Sequence, residues 1–126
     1  MNFVLLGPAQ VEAIHDLVLN PGELAGRARD KSLEGALSRV ENRLMYGMIG
    51  DVFDLAAAYA SAIATGHCFN DGNKRTAYRV MIVCMALNGI RVAHETETTG
   101  NQIIRLAQGG IDDEDMAAWL RARQVG

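Results

Sequence analysis

Apolar residues recur at helical spacing along most of the chain, and short stretches rich in glycine, asparagine or proline separate the runs. The first run follows Gly7-Pro8, a proline placement typical of the first turn of a helix, and ends at Asn20-Pro21-Gly22. The predicted apolar face of this helix consists of Val11, Ile14, Leu17 and Val18. His15 lies on the same helix, and we interpret it as structural, because a histidine so placed is far more often structural than catalytic.

A second amphipathic helix is predicted after the segment from Glu23 to Arg29, whose mixed charge and lack of a regular period indicate a loop of open function. Asp30 is a suitable N-cap for this helix. Its apolar positions are Leu33, Leu37, Val40 and Leu44. Gly47 and Gly50 interrupt the pattern and predict the end of the helix.

Two strongly apolar helices are predicted in the middle of the chain. The first begins with Asp51 as N-cap and Asp54 in an acidic first turn, and it ends at Gly66, a natural helix stop. Its alanine-rich composition makes it slim, which suits a helix buried against several neighbours. The second covers Thr76 to Leu87 and stops at Asn88-Gly89. The segment between these helices is therefore expected to be a loop held at both ends.

The remainder of the chain carries shorter patterns. The β-branched stretch from Ile90 to Ala93 is consistent with a single extended strand. Thr98 or Thr99 is a candidate cap for a helix that carries Ile103, Ile104 and Leu106. Asp112 is a candidate cap for the last helix, with Met116, Trp119 and Leu120 directed inward. The elements together predict an all-α fold of about six helices in one compact domain covering residues 1–126.

Composition and charge exclude several classes of function. The chain has 126 residues, of which 49% are hydrophobic, enough for one independently folding core and too few for two. The net charge of −3 excludes a general nucleic-acid surface and a polybasic membrane patch from the prediction. The apolar run near the N-terminus, Phe3 to Leu6, is too short for a signal peptide or a membrane-spanning helix, so we expect a cytoplasmic protein.

Two cysteines, Cys68 and Cys84, are expected to be reduced thiols, because they cannot build a disulfide framework and no Cys/His spacing fits zinc. Cys68 is the neighbour of His67, which raises the question of a thiol nucleophile. We do not expect one, because adjacent residues usually point apart and no third, orienting group is evident.

One short stretch concentrates the groups of chemical interest: His67-Cys68-Phe69-Asn70-Asp71-Gly72-Asn73-Lys74-Arg75-Thr76. Lys74 and Arg75 are predicted in the first turn of the second central helix. The helix dipole is positive there, so two cations are locally unfavourable unless an anion binds. Gly72 lets the backbone bend closely, so that free N–H groups can surround a phosphate. The stretch therefore predicts a phosphate site.

Three other side chains of this stretch have distinct expected tasks. Asp71 is its only acid, and a lone carboxylate beside phosphates is the usual protein contribution to a Mg²⁺ site. His67 is suited to accept a proton near neutral pH. Phe69 is expected to turn inward and fix the loop to the core, and Asn70 to form hydrogen bonds within the loop.

The stretch resembles the motif of the Fic/Doc family, His-x-Phe-x-Asp/Glu-Gly/Ala-Asn-Gly/Lys-Arg, and its Asn-Lys-Arg-Thr ending resembles the Doc (death-on-curing) branch. A weaker resemblance extends upstream through Arg29-Asp30-x-x-Leu33-Glu34-Gly35-Ala36-Leu37 and downstream to Leu87-Asn88-Gly89. It covers roughly the central two-thirds of the chain. The resemblance implies transfer of part of a nucleoside triphosphate, ATP, to a protein hydroxyl.

The group that is transferred depends on two positions. The branch of the family that moves AMP generally has glycine after the motif asparagine and a second arginine three residues beyond the first. This chain has Lys74 and Tyr78 at these positions, with Arg79 one place late. The Doc branch shares the lysine, and the activity it implies is phosphorylation of a threonine on the translation elongation factor that delivers aminoacyl-tRNA. The resemblance therefore favours a toxin kinase over an AMP transferase, which stays the alternative.

In that interpretation His67 takes the proton of the target hydroxyl and Asp71 binds Mg²⁺ between phosphates. The backbone at Gly72 and the residues Asn73, Lys74 and Arg75 hold and neutralise the phosphates of ATP. Members of the Doc branch are restrained by a cognate antitoxin whose disordered C-terminal tail folds as an inhibitory helix. The chain has no inhibitory motif of the Ser/Thr-x-x-x-Glu-Gly/Asn kind, which fits a separate antitoxin.

An alternative of another class keeps the fold without catalysis, as a module that binds a nucleotide or an antitoxin. The presence of both His67 and Asp71 argues against it, because binding alone needs neither a base nor a metal ligand. The target residue, the oligomeric state and toxicity in the host stay open at this level.

Overall fold

The computed structural model describes residues 2–126. Six helices lie in that range: α1 (Pro8–Val18), α2 (Leu33–Met45), α3 (Val52–Gly66), α4 (Asn73–Leu87), α5 (Thr96–Ala107) and α6 (Asp113–Arg121). The predicted all-α architecture of about six helices is confirmed. None of the helices in this part of the chain is both long and apolar enough to cross a membrane.

Helix α3 is the centre of the fold, because it packs against α2, α4, α5 and α6. Its alanines Ala56, Ala57 and Ala60 are fully buried, so the predicted slim, buried helix is confirmed. A side chain that ends at Cβ lets neighbouring helices approach closely. The largest fully buried hydrophobic side chains are Leu33, Leu55, Ile63, Met81, Met85, Ile103, Met116 and Leu120.

The buried face of α1 differs from the predicted one. Val11 and His15 are buried, whereas Leu17 is 85% exposed. Residues four apart share a face of a helix, so Val11 and His15 point to the core together, and Leu17 projects from the other side. The assignment of Leu17 to the apolar face is therefore wrong.

Two helices begin at other residues than predicted. The N-cap of α2 is Ser32 and not Asp30: the Ser32 hydroxyl accepts a hydrogen bond from the Gly35 N–H at 2.9 Å. Both residue types cap well, and Ser32 is the one that directly precedes the first helical residue, the buried Leu33. Helix α5 begins after Glu95, which leaves Thr99 buried within the helix and not at its cap.

The other two caps and the last helix agree with the sequence in most respects. Asp51 and Asp112 each accept a hydrogen bond from the N–H group three residues on, at 2.9 Å and 2.8 Å. Met116 and Leu120 are buried, but Trp119 is only partly covered, by the Arg123 guanidinium 3.7 Å from its ring centre.

The predicted strand after α4 is present only as an extended segment. Val92 pairs with Gln124 in an isolated antiparallel bridge, supported by a 2.8 Å hydrogen bond from the Ala93 N–H to the Arg123 carbonyl. The pairing is too short for a sheet, and residues 2–126 contain no longer strand.

Candidate active site

The loop between α3 and α4 is bounded by two residues in the left-handed conformation, His67 with a φ of 51° and Gly72 with a φ of 80°. Helix α3 ends at Gly66 as predicted, and the left-handed residue that follows it is His67. Gly66 meets another need: a Cβ there would come within 3.0 Å of the Cys68 Sγ and 3.3 Å of the Ala36 Cβ. A left-handed residue other than glycine costs about 1–2 kcal/mol, and such conformations cluster at functional sites.

The interior of the loop is anchored by Phe69, which is 3% exposed as predicted. Its ring stacks on the imidazole of His15, with centroids 3.9 Å apart and planes inclined by 8°. His15 Nε2 lies 2.7 Å from the carbonyl oxygen of Asp71. His15 is structural, as expected, but its contact with the loop escaped the sequence analysis. Its four-residue spacing from Val11, on the buried face, was the available signal.

Two asparagine side chains stabilise the loop, Asn73 from within it and Asn70 through a neighbouring segment. The Asn73 amide accepts a hydrogen bond from the Phe69 N–H at 3.0 Å and donates one to the Phe69 carbonyl at 2.9 Å. The Asn70 amide donates to the carbonyl of Ala25 at 3.1 Å, so Asn70 forms hydrogen bonds as expected, but its partner lies outside the loop. Both polar ends of Asn73 are thus occupied by the loop, which leaves its backbone N–H available for a ligand.

Residues 20–28 form a strap that lies beside the loop. The strap includes most of the segment from Glu23 to Arg29, whose function the sequence left open. Asn70 donates from its N–H to the Gly26 carbonyl at 3.1 Å, and the Ala28 N–H donates to the Cys68 carbonyl at 2.8 Å. The Leu24 N–H donates to Asp71 Oδ2 at 2.7 Å. The strap therefore fixes both the backbone of the loop and its only carboxylate.

All six site residues predicted from the sequence line one pocket of about 360 Å³. Its lining consists of Ala64, His67, Asn70, Asp71, Gly72, Asn73, Lys74 and Arg75. This volume lies in the range of small-molecule sites. The loop thus brings a histidine, a carboxylate and two cations to a single cavity.

The start of α4 supplies backbone donors to this pocket. The helix begins at Asn73, which places Lys74 and Arg75 in its first turn as predicted, and Gly72 at its N-cap makes no side-chain capping bond. The first helical hydrogen bond runs from the Thr76 N–H to the Gly72 carbonyl at 2.9 Å. The N–H groups of residues 73–75 consequently have no acceptor within the helix. Together with the positive helix end, they suit an anion.

The two cations of the pocket differ in their surroundings. Arg75 donates to the Val18 carbonyl at 2.8 Å and to the carboxylate of Glu23. The hydrogen bond between Arg75 and Glu23 raises the pKa of the Arg75 guanidinium and lowers the pKa of the Glu23 carboxyl group. Lys74 is exposed and forms no ion pair within residues 2–126. Most of the uncompensated positive charge of the pocket is therefore that of Lys74.

Asp71 fits a Mg²⁺ ion only in combination with a ligand. One carboxylate oxygen accepts the Leu24 N–H, which leaves the other for coordination. The described residues hold no group of three metal-binding side chains. A single carboxylate is nevertheless what Mg²⁺ commonly takes from a protein when phosphates supply further oxygens.

Comparison with known proteins identifies the family in which this pocket occurs. The sequence profile of the Fic/DOC family matches residues 5–85, a range that includes the whole lining of the pocket. The chain belongs to the Fic/DOC family. A relative, "Protein kinase doc" of Escherichia phage P1, is 33% identical over 117 residues, which cover 92% of each chain. The resemblance inferred from the loop is confirmed, and it extends well beyond the central two-thirds of the sequence.

The cysteines of this Fic/DOC chain are expected to resist alkylation in the native protein. Both are buried, and burial raises the pKa of Cys68 and raises that of Cys84 to about 12, so almost no thiolate forms near neutral pH. Iodoacetamide at pH 7.5 should give no adduct by mass spectrometry, and two adducts after denaturation in urea. Rapid native labelling of Cys68 would contradict its interpretation as a structural thiol.

Proposed function

We propose that this protein is a toxin of a toxin-antitoxin pair, a kinase that transfers the ATP γ-phosphate to a threonine hydroxyl of a translation elongation factor. The observation that carries the proposal is the convergence of His67, Asp71 and Lys74 on one pocket at the start of α4. The similarity to a phage protein named as a kinase supports phosphoryl transfer over AMP transfer.

The proposed proton acceptor is His67. Its position at the end of α3 leaves the side chain exposed on the rim of the pocket, where a protein hydroxyl can approach. A base within hydrogen-bond reach accepts the hydroxyl proton as the oxygen attacks phosphorus.

The phosphates are proposed to bind at the N–H groups of residues 73–75 and to Lys74. Phosphoryl transfer depends mainly on positioning and on neutralising charge at the transferred group. Lys74 provides a mobile, uncompensated charge, whereas Arg75 offers only the part of its guanidinium that Val18 and Glu23 leave free. Asp71 would hold Mg²⁺, which neutralises phosphate charge when bound. Asn73 contributes its N–H and the shape of the loop.

Control by a separate antitoxin and a cytoplasmic location, where elongation factors act, complete the proposal. The sequence contains no Ser/Thr-x-x-x-Glu-Gly/Asn motif, which fits inhibition by a separate partner. A partner tail that folds on binding would fit such control.

The test is a transfer assay with purified elongation factor and ATP labelled at either the α- or the γ-phosphate. We expect label only from the γ-phosphate. Lys74→Ala should lower its transfer by about 10- to 100-fold, the loss of one charge-assisted contact to the reacting group. Arg79→Ala is the matched control, because Arg79 is an exposed cation of the same helix outside the pocket, and it should stay near the wild-type rate.

Two other outcomes of this assay would change the proposal. Label from the α-phosphate would establish AMP transfer in spite of Lys74. No label from either position, with ATP binding retained, would favour the non-catalytic binding module.

A further inference from the structure

His15 is the buried histidine of the described chain, with 1% of its surface exposed, whereas His67 and His94 are exposed. A buried polar group is costly unless it forms a hydrogen bond. The Nε2 atom of His15 meets the Asp71 carbonyl oxygen at 2.7 Å. A carbonyl can only accept, so Nε2 carries a proton and donates it. The contact therefore requires a proton on Nε2 of His15, whose Nδ1 lies 3.6 Å from Asp16 Oδ1.

The ring of His15 lies next to loop residues that precede and follow Asp71 in the chain. On one side it stacks on Phe69. On the other, a Cβ at Gly72 would lie 3.7 Å from the His15 Cδ2. The imidazole thus lies beside three residues of the loop, of which Asp71 and Gly72 line the pocket.

The hydrogen bond from His15 also orients a backbone N–H group next to the proposed phosphate site. The carbonyl of Asp71 and the N–H of Gly72 belong to one peptide unit, which is planar and trans, so they point in opposite directions. Because the carbonyl points to the buried imidazole, the Gly72 N–H points away from it. Gly72 itself lines the pocket.

Asp71 is consequently held at two points, its carbonyl by His15 and its carboxylate oxygen Oδ2 by the Leu24 N–H. We propose that His15 is a positioning residue of the active site, which sets the direction of the Asp71 carboxylate and of the Gly72 N–H through its Nε2–H donor. This inference rests on the proposed role of Asp71 in binding Mg²⁺. It assigns the first helix a part in nucleotide binding.

The matched variants His15→Phe and His15→Gln separate the donor from the ring. Phenylalanine keeps an aromatic ring for the stack on Phe69 and removes the donor, whereas glutamine keeps an N–H donor at a similar reach and removes the ring. The measurement is calorimetric binding of the non-hydrolysable β,γ-imido analogue of ATP over a series of Mg²⁺ concentrations. His15→Phe should weaken Mg²⁺-dependent binding by about 10- to 100-fold, the range seen when a partner of a metal ligand is removed, and His15→Gln should restore most of it.

Asp71→Asn separates failure of this inference from failure of the proposed function. If Asp71→Asn loses the Mg²⁺ dependence while His15→Phe binds like the wild type, the role of His15 is overturned and that of Asp71 stands. If Asp71→Asn keeps the wild-type Mg²⁺ dependence, the metal role of Asp71 and the inference built on it both fall.

A measurement on the wild-type protein covers the case in which His15→Phe does not fold. Long-range ¹H–¹⁵N correlation spectra distinguish the two imidazole tautomers. We expect the Nε2–H form for His15, and the Nδ1–H form would overturn the proposal.

Discussion

Replacement of His67 by alanine is expected to lower the rate of γ-phosphate transfer by about 10²- to 10⁴-fold, the usual contribution of a positioned general base. The side chain is exposed and lines the pocket, and it makes no hydrogen bond within residues 2–126 that its removal would break. The loss should therefore be in the transfer step, with binding of the ATP analogue and the midpoint of urea unfolding close to the wild-type values.

The matched control for this prediction is His94→Ala. His94 is also an exposed histidine, but it lies outside the pocket, where its Nδ1 meets the Tyr78 hydroxyl at 2.7 Å. The single-turnover rate of His67→Ala should be about 10²- to 10⁴-fold lower than that of His94→Ala. A rate for His67→Ala within threefold of that for His94→Ala would remove His67 from the chemistry.

Replacement of Leu55 by alanine should destabilise the protein by about 2–5 kcal/mol, because it leaves a cavity in the most enclosed helix of the fold. Leu55 is fully buried in α3, which is packed on four sides by other helices and cannot shift easily to fill the space. The free energy of unfolding from urea titration, monitored by circular dichroism, measures the effect.

Leu17→Ala removes the same atoms from a position that is 85% exposed, and its effect should stay within about 0.5 kcal/mol. The pair compares one chemical change at two levels of burial. A similar loss in both variants would mean that α1 buries Leu17 in solution, as the apolar pattern of the sequence suggested.

Features that depend on neighbours in the chain were predictable from the sequence. Helices α3 and α6 show this most clearly, because Asp51 and Asp112 stand directly before their apolar patterns and cap them as expected. The loop was found from its residue types alone, since the groups that line the pocket are contiguous. The extent of the domain over residues 1–126 stays a prediction.

Features that depend on distant contacts were beyond the reach of sequence patterns. The hydrogen bonds of Asp71 come from His15 and Leu24, which are 56 and 47 residues away in the chain. Arg75 was expected to bind phosphate. Its ion pair with Glu23 could not be predicted, because Glu23 is 52 residues away in the chain. The local sequence shows which side chains of the loop line the pocket. The residues that hydrogen-bond to these side chains are known only once α1 and the strap are packed against the loop.

The strap has a consequence for how the protein can lose activity. None of residues 20–28 is buried, so the strap adds little apolar burial to the core, yet it holds Asn70 and Asp71 by hydrogen bonds. Segments with few buried contacts open in local fluctuations that cost less free energy than global unfolding. Detachment of the strap would disassemble the site while the helices around α3 stay folded. The free energy that keeps the site assembled is therefore smaller than the free energy that keeps the protein folded.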